Sequence, residues 1–172
     1  PSYFPQAGET HWRVSCDREV GFVRDAVGVC DVSTLGKIDI QGPDAAALLD
    51  FVYSNMFSTL KVGRVRYGLM LREDGHVLDD GTTARLGEQH FVMTTTTAAA
   101  GLVMRHLEFV LQVLRPDLDA SVISVTEQWA QFAVAGPQAR SLLNTVLDQE
   151  ITDETWPFMG CGEVGVAGVP GR

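Results

Sequence analysis

Lys37-Ile38-Asp39-Ile40-Gln41-Gly42-Pro43-Asp44-Ala45-Ala46-Ala47-Leu48-Leu49 is echoed by Gln131-Phe132-Ala133-Val134-Ala135-Gly136-Pro137-Gln138-Ala139-Arg140-Ser141-Leu142-Leu143. In the first copy Ile38 and Ile40 alternate with Asp39 in the manner of a half-buried strand. A Gly-Pro step then stops the strand, and Pro43 suits the first turn of a helix running through Ala45 to Phe51. The second copy reads the same way, and both helices end on Leu-Leu. Recurrence of a whole strand-break-helix unit points to duplication. Gly-Pro turns are common, so chance similarity is the competing reading. Two such units can share one mixed body, and the fold class that follows is α+β.

The flanking patterns agree. From Asp17 the spacing of Val20, Val23 and Val27 predicts an amphipathic helix with Glu19, Arg24 and Asp25 outward, followed by a strand over Val29 to Val32. Val65 to Leu71 and Val77 to Leu86 read as strands joined at Glu73-Asp74-Gly75, a hairpin signal. His90 to Thr95 is a further strand. Ala98 to Leu114 is a long helical pattern ended by Pro116. Val122 to Val125 and Phe132 to Val134 follow as strands. Pro1 to Gly8 carry turn formers without periodicity, so residues 1–17 read as an extended leader and 18–172 as one domain. The start at Pro1 and the stop at Arg172, just after strand-like Val164 to Val169, read as the edges of an excised piece.

The 172 residues are 45% apolar and 20% charged, with net charge −9. That is globular composition with enough apolar surface for a core. The acidic balance argues against a nucleic-acid partner, which wants a basic footprint. No run approaches the ~20 apolar residues of a membrane helix. Cys16, Cys30 and Cys161 form neither a disulfide framework nor a metal cluster, which fits a reducing cytoplasm. Cys30 reads as a small core residue. His11, His76, His90 and His106 lack ligand spacing and read as surface or strand-edge residues, so no metal site is expected.

The stretch that carries chemistry runs from Gly63 through Arg66-Tyr67-Gly68-Leu69-Met70 to Leu78-Asp79-Asp80-Gly81-Thr82-Thr83-Ala84. Adjacent strand residues face opposite sides, so one of Asp79 and Asp80 looks into a pocket while the other meets solvent or caps a turn. An inward carboxylate suits an amine or iminium substrate, whose positive charge it stabilises, and it can move a proton. The competing reading is a solvated pair of turn acids. Thr94-Thr95-Thr96-Thr97 offers alternate hydroxyls that could line a polar cavity, or a strand end capping the next helix through Thr97.

Val27-Gly28-Val29-Cys30-Asp31-Val32-Ser33-Thr34-Leu35-Gly36-Lys37, the Gly42-Pro43-Asp44-Ala45-Ala46 helix start and the Tyr67 hairpin ending Asp79-Asp80 resemble the glycine-cleavage T-protein (aminomethyltransferase) family. The resemblance covers residue 18 to the end. Within the family, Arg66 to Gly75, Met93 to Thr97 and Val125-Thr126-Glu127-Gln128-Trp129-Ala130 are most like the C-terminal folate domain of heterotetrameric sarcosine oxidase alpha subunits. The resemblance implies the aminomethyltransferase folate-binding fold, with its duplicated strand-helix units, here as a fragment.

It further implies tetrahydrofolate as cofactor. Asp80 matches the acid facing the reactive folate nitrogens, and so the catalytic position. Tyr67 matches a tyrosine bordering the pterin, Thr82 a strand residue two beyond the acid, and Thr96 a polar residue that is often asparagine. The family's later Tyr/Ser-x-Gly-Glu segment, whose glutamate binds the pterin, does not occur by Arg172, so the fragment alone is expected to bind folate weakly and to be inactive.

The implied function is capture of the one-carbon unit from oxidised sarcosine to give 5,10-methylenetetrahydrofolate. FAD or FMN would lie in flavin-containing partner subunits or other domains, since this stretch has no dinucleotide fingerprint. Two alternatives within the resemblance are a glycine-cleavage T-protein working with a lipoyl protein and a non-catalytic folate-binding module.

Overall fold

A computed structural model describes residues 4–172. In chain order its elements are helix α1 (Trp12–Asp25), strands β1 (Gly28–Asp31) and β2 (Gly36–Gln41), helix α2 (Ala45–Val52), strands β3 (Arg64–Leu71), β4 (Val77–Gly87) and β5 (His90–Thr95), helix α3 (Ala100–Phe109), strands β6 (Ser121–Ser124) and β7 (Phe132–Ala135), helix α4 (Ala139–Val146), and strands β8 (Val164–Val166) and β9 (Val169–Gly171). Among the described residues no helix is long and apolar enough to cross a membrane.

The described residues divide into two compact units. The larger comprises Ser33–Ala130, Trp156–Glu163 and Arg172. Its five-stranded antiparallel sheet has the order β3-β4-β5-β2-β6. Period-2 alternation places Ile38, Ile40, Met70, Phe91 and Met93 on one face, where they form a buried core with Leu48 and Leu49 of α2 and Val103 and Leu107 of α3. Fully burying each such side chain is worth about 1.5–3 kcal/mol. Both helices therefore lie on that face. The opposite face carries Tyr67, Asp80, Thr82, Thr94, Asp39 and His90, the polar half of the same alternation.

The smaller unit comprises the residues up to Val32, Gln131–Thr155 and Val164–Gly171. Here β1 pairs antiparallel with β7, and β8 with β9. The repeat is built as expected. Gly42 and Gly136 adopt φ of 135° and 126°, a region that favours glycine. A Cβ on Gly42 would stand 2.4 Å from the Asp119 carbonyl oxygen, and one on Gly136 2.5 Å from that of Ala26.

The correspondence extends further than the quoted residues. Asp44 N–H donates to Asp119 O at 3.1 Å and Gln138 N–H to Ala26 O at 2.9 Å. Tyr53 bridges to Met70 of β3, and Leu147 bridges to Val166 of β8. β6 lies against β2 as β1 lies against β7, and each follows a helix, α3 or α1.

Several expectations need correction. α1 starts at Trp12, inside the stretch 1–17 read as an extended leader; residues 1–3 of that stretch lie outside the described residues. The His11 imidazole accepts the Arg13 N–H at 3.2 Å, and Arg13 pairs with Asp17 at 2.7 Å, so the first turns are capped and braced. Val27 falls outside the helix. The helix expected over Ala98 to Leu114 is α-helical only to Phe109 and continues as a π-turn over Val110–Leu114. Thr97 does not cap it, because its hydroxyl bonds that of Thr34 at 3.1 Å. Cys30 is exposed, as are Val29 and Asp31 on either side of it, so neither face of β1 is buried in a core.

Candidate functional site

The site is assembled where β3, β4 and β5 run side by side. Tyr67 stands opposite Thr82, and Leu69 opposite Asp80, so Tyr67, Thr82 and Asp80 share the face away from the core. The Tyr67 hydroxyl donates to Asp80 Oδ2. Tyr67 is 48% exposed, which leaves its ring open to a ligand. The hydrogen bond to Asp80 is the main cause that raises its phenol pKa, helped by desolvation and the charges of Asp80 and Asp79. Among the described residues no Lys, Arg or His pairs with Asp80, so its charge is left for whatever lies on that face.

Backbone pairing between β4 and β5 reaches Thr83 opposite Met93 and then gives way to side-chain links. The Thr94 hydroxyl accepts the Thr82 N–H at 3.0 Å and donates to the Thr82 carbonyl at 3.0 Å. It also lies 3.1 Å from the Thr82 hydroxyl. A Cβ on Gly81 would come within 2.1 Å of the Thr94 carbonyl oxygen, so only glycine lets the strands approach here. Lys37 stands opposite Thr94 on β2. Lys37, Thr94, Thr82 and Tyr67 therefore form a row across four strands. The Lys37 ammonium is buried and donates to the carbonyls of Ser33 at 3.0 Å and Leu35 at 2.9 Å.

Asp79 takes the other face, as alternation requires, but it neither meets solvent nor caps a turn. It is 6% exposed on the core side. Its carboxylate accepts the Thr96 hydroxyl at 2.7 Å and the Thr96 N–H at 3.1 Å. These donors offset the cost of burying the charge. The reading of two solvated turn acids is therefore wrong for this residue.

Close by, burial pushes the Tyr53 phenol up to about 12, with the Asp79 and Asp80 charges adding to the rise and the Thr83 hydroxyl opposing it. Tyr53 is thus neutral throughout the physiological range.

Of the expected residues, Tyr67, Asp80 and Thr82 come together, and Thr96 is held apart by Asp79. Thr94 was one of four equivalent threonines in sequence, and its bridging role was legible only as alternation within that run. No metal-binding group of His, Cys, Asp and Glu occurs among the described residues.

The whole chain, residues 1–172, matches the family model described as the GCVT N-terminal domain. It is 56% identical over 97% of its length to sarcosine oxidase subunit alpha of Rhizobium meliloti, covering 17% of that protein. It is 35% identical over 77% of its length to an aminomethyltransferase of Thermus thermophilus, covering 37% of it. The crystal structure of glycine cleavage system aminomethyltransferase T from Bartonella henselae superposes with a TM-score of 0.68 at 27% identity, over 74% of this chain and 34% of that one.

The α+β fold is thus that of the aminomethyltransferases. The chain belongs to the glycine-cleavage T-protein family. Its relatives include both sarcosine oxidase alpha subunits and aminomethyltransferases, all of them enzymes, and it spans only about 17% of the R. meliloti subunit.

Proposed function

We propose that this chain is part of a tetrahydrofolate-dependent aminomethyltransferase domain of the sarcosine oxidase alpha type, capturing the one-carbon unit of oxidised sarcosine as 5,10-methylenetetrahydrofolate. The observation that carries the reading is the Tyr67–Asp80 pair on a polar, part-exposed stretch of the sheet face. It lies in a chain 56% identical to a sarcosine oxidase alpha subunit.

The residues present fit a reduced pterin: a half-exposed phenol ring for a flat heterocycle, a carboxylate without a cationic partner among the described residues, and the hydroxyls of Thr82 on β4 and Thr94 on β5. When bound, tetrahydrofolate supplies the nucleophilic nitrogens that accept the one-carbon unit. Asp80 stabilises positive charge beside it and takes up a proton at a carboxylate oxygen. Tyr67 orients that carboxylate through its hydroxyl and offers its ring as a wall. Thr82 and Thr94 brace the strands that carry both. Thr96 acts here through Asp79 and the β4–β5 junction instead of by direct contact.

Sarcosine oxidation and its flavin belong, in this reading, to partner subunits or other domains. Three free cysteines suit a cytoplasmic setting.

The test is Asp80→Ala in the intact protein, with oxygen uptake and one-carbon products measured together. Sarcosine-dependent oxygen uptake should persist while the folate product falls and free formaldehyde rises. Loss of a charge-stabilising group costs on the order of 10²-fold or more in rate. An unchanged folate product would overturn the assignment.

A further inference from the structure

We propose that the cavity of about 500 Å³ lined by Thr59, Leu60, Lys61, Arg64, Val65 and Arg66 binds a small, multiply charged anion bearing carboxylate or phosphate groups. Its volume falls within the roughly 300–1,000 Å³ of small-molecule sites. Half of its lining residues are cationic and none is acidic, in a chain of net charge −9.

Three other arginines of the same unit are paired with carboxylates. Arg72, Arg85 and Arg115 hold carboxylates at 2.9, 3.3 and 2.8 Å. Among the described residues no carboxylate pairs with Lys61, Arg64 or Arg66. Arg64 Nη2 donates instead to the Phe158 carbonyl at 2.8 Å. Arg66 Nη1 donates to the Thr59 hydroxyl at 2.9 Å and to the Met56 carbonyl. These neutral acceptors fix the guanidinium groups without cancelling their charge, and each retains unused N–H donors.

The loop beneath is also held. The Asp50 carboxylate accepts the Ser58 N–H at 3.0 Å, and Arg85 Nη1 donates to the Leu60 carbonyl at 2.7 Å. Positive charge is therefore preorganised in a concavity, and an anion entering it meets little ordering cost. Three uncompensated cations call for a ligand with at least two negative charges. Arg64 and Arg66 leave β3 on the side opposite to Tyr67, and neither Tyr67 nor Asp80 lines the cavity.

The experiment is titration calorimetry of the intact protein at low ionic strength with citrate in one arm and inorganic phosphate in the other, distinguishing the two anion chemistries. At least one should bind saturably, with affinity falling as salt is added. The combined Lys61→Ala and Arg64→Gln variant should bind at least tenfold more weakly, and Asp80→Asn should bind as the unaltered protein does. Lys61→Glu, a change at an exposed side chain, should weaken binding even if the Arg64 change impairs folding. Absence of saturable binding in both arms, or affinity unchanged by Lys61→Glu, would overturn the proposal. So would binding of an acidic polypeptide with neither small anion bound.

Discussion

Tyr67 donates its phenolic hydrogen to Asp80 from the neighbouring strand, on the same face of the sheet and displaced by two residues from direct opposition. The contact keeps the phenol protonated beyond its ordinary range. Because the folded-state pKa is raised, the contact is complete below the usual tyrosine value and lost as pH rises through the raised one. Asp80→Asn should therefore move the Tyr67 ionisation back toward the ordinary value. Ultraviolet titration, with Tyr67→Phe used to assign the transition, checks this; an unmoved transition would show the contact to be absent in solution.

Asp79 is predicted to matter for stability. Asp79→Ala removes the carboxylate that accepts the Thr96 hydroxyl and N–H, and hydrogen bonds to a charged group are worth about 1.5–3 kcal/mol. Thr96→Val removes one of the two donors and should cost less. Urea unfolding of both variants gives the order, and a milder effect for Asp79→Ala would contradict the contact described.

Gly81→Ala should force β4 and β5 apart, since its Cβ would meet the Thr94 carbonyl at 2.1 Å. Overpacking of this kind costs typically ~1–3 kcal/mol. The Thr82–Thr94 links should break with it, so amide hydrogen exchange at Thr82 should speed up. Protection equal to that of the unaltered chain would refute this account.

The two repeats should respond unequally to the same change. Leu49 is fully buried in the larger unit, whereas the matching Leu143 is only partly buried. Leu49→Ala should cost about 2–5 kcal/mol, and Leu143→Ala distinctly less. Equal losses in denaturant unfolding would mean that α4 is as enclosed as α2.

The sequence by itself determined the local grammar: the strand, Gly-Pro break and helix of each repeat, the β3–β4 hairpin, and the sharing of one face by Asp80 and Thr82. These depend on side-chain period and on glycine's tolerance of positive φ, both properties of a few neighbouring residues. Tertiary structure decided what those patterns meet. That α1 and β1 stand to β7 as α3 and β6 stand to β2 was invisible, because helix and strand lie far along the chain from the strand they serve. Thr96 joins Asp79 and Thr94 joins Thr82 because β5 pairs with β4 in one register, which no spacing within the threonine run encodes. Cys30 is exposed and Leu143 half-covered for a related reason: burial is set by which distant surfaces arrive, and identical local patterns can receive different neighbours.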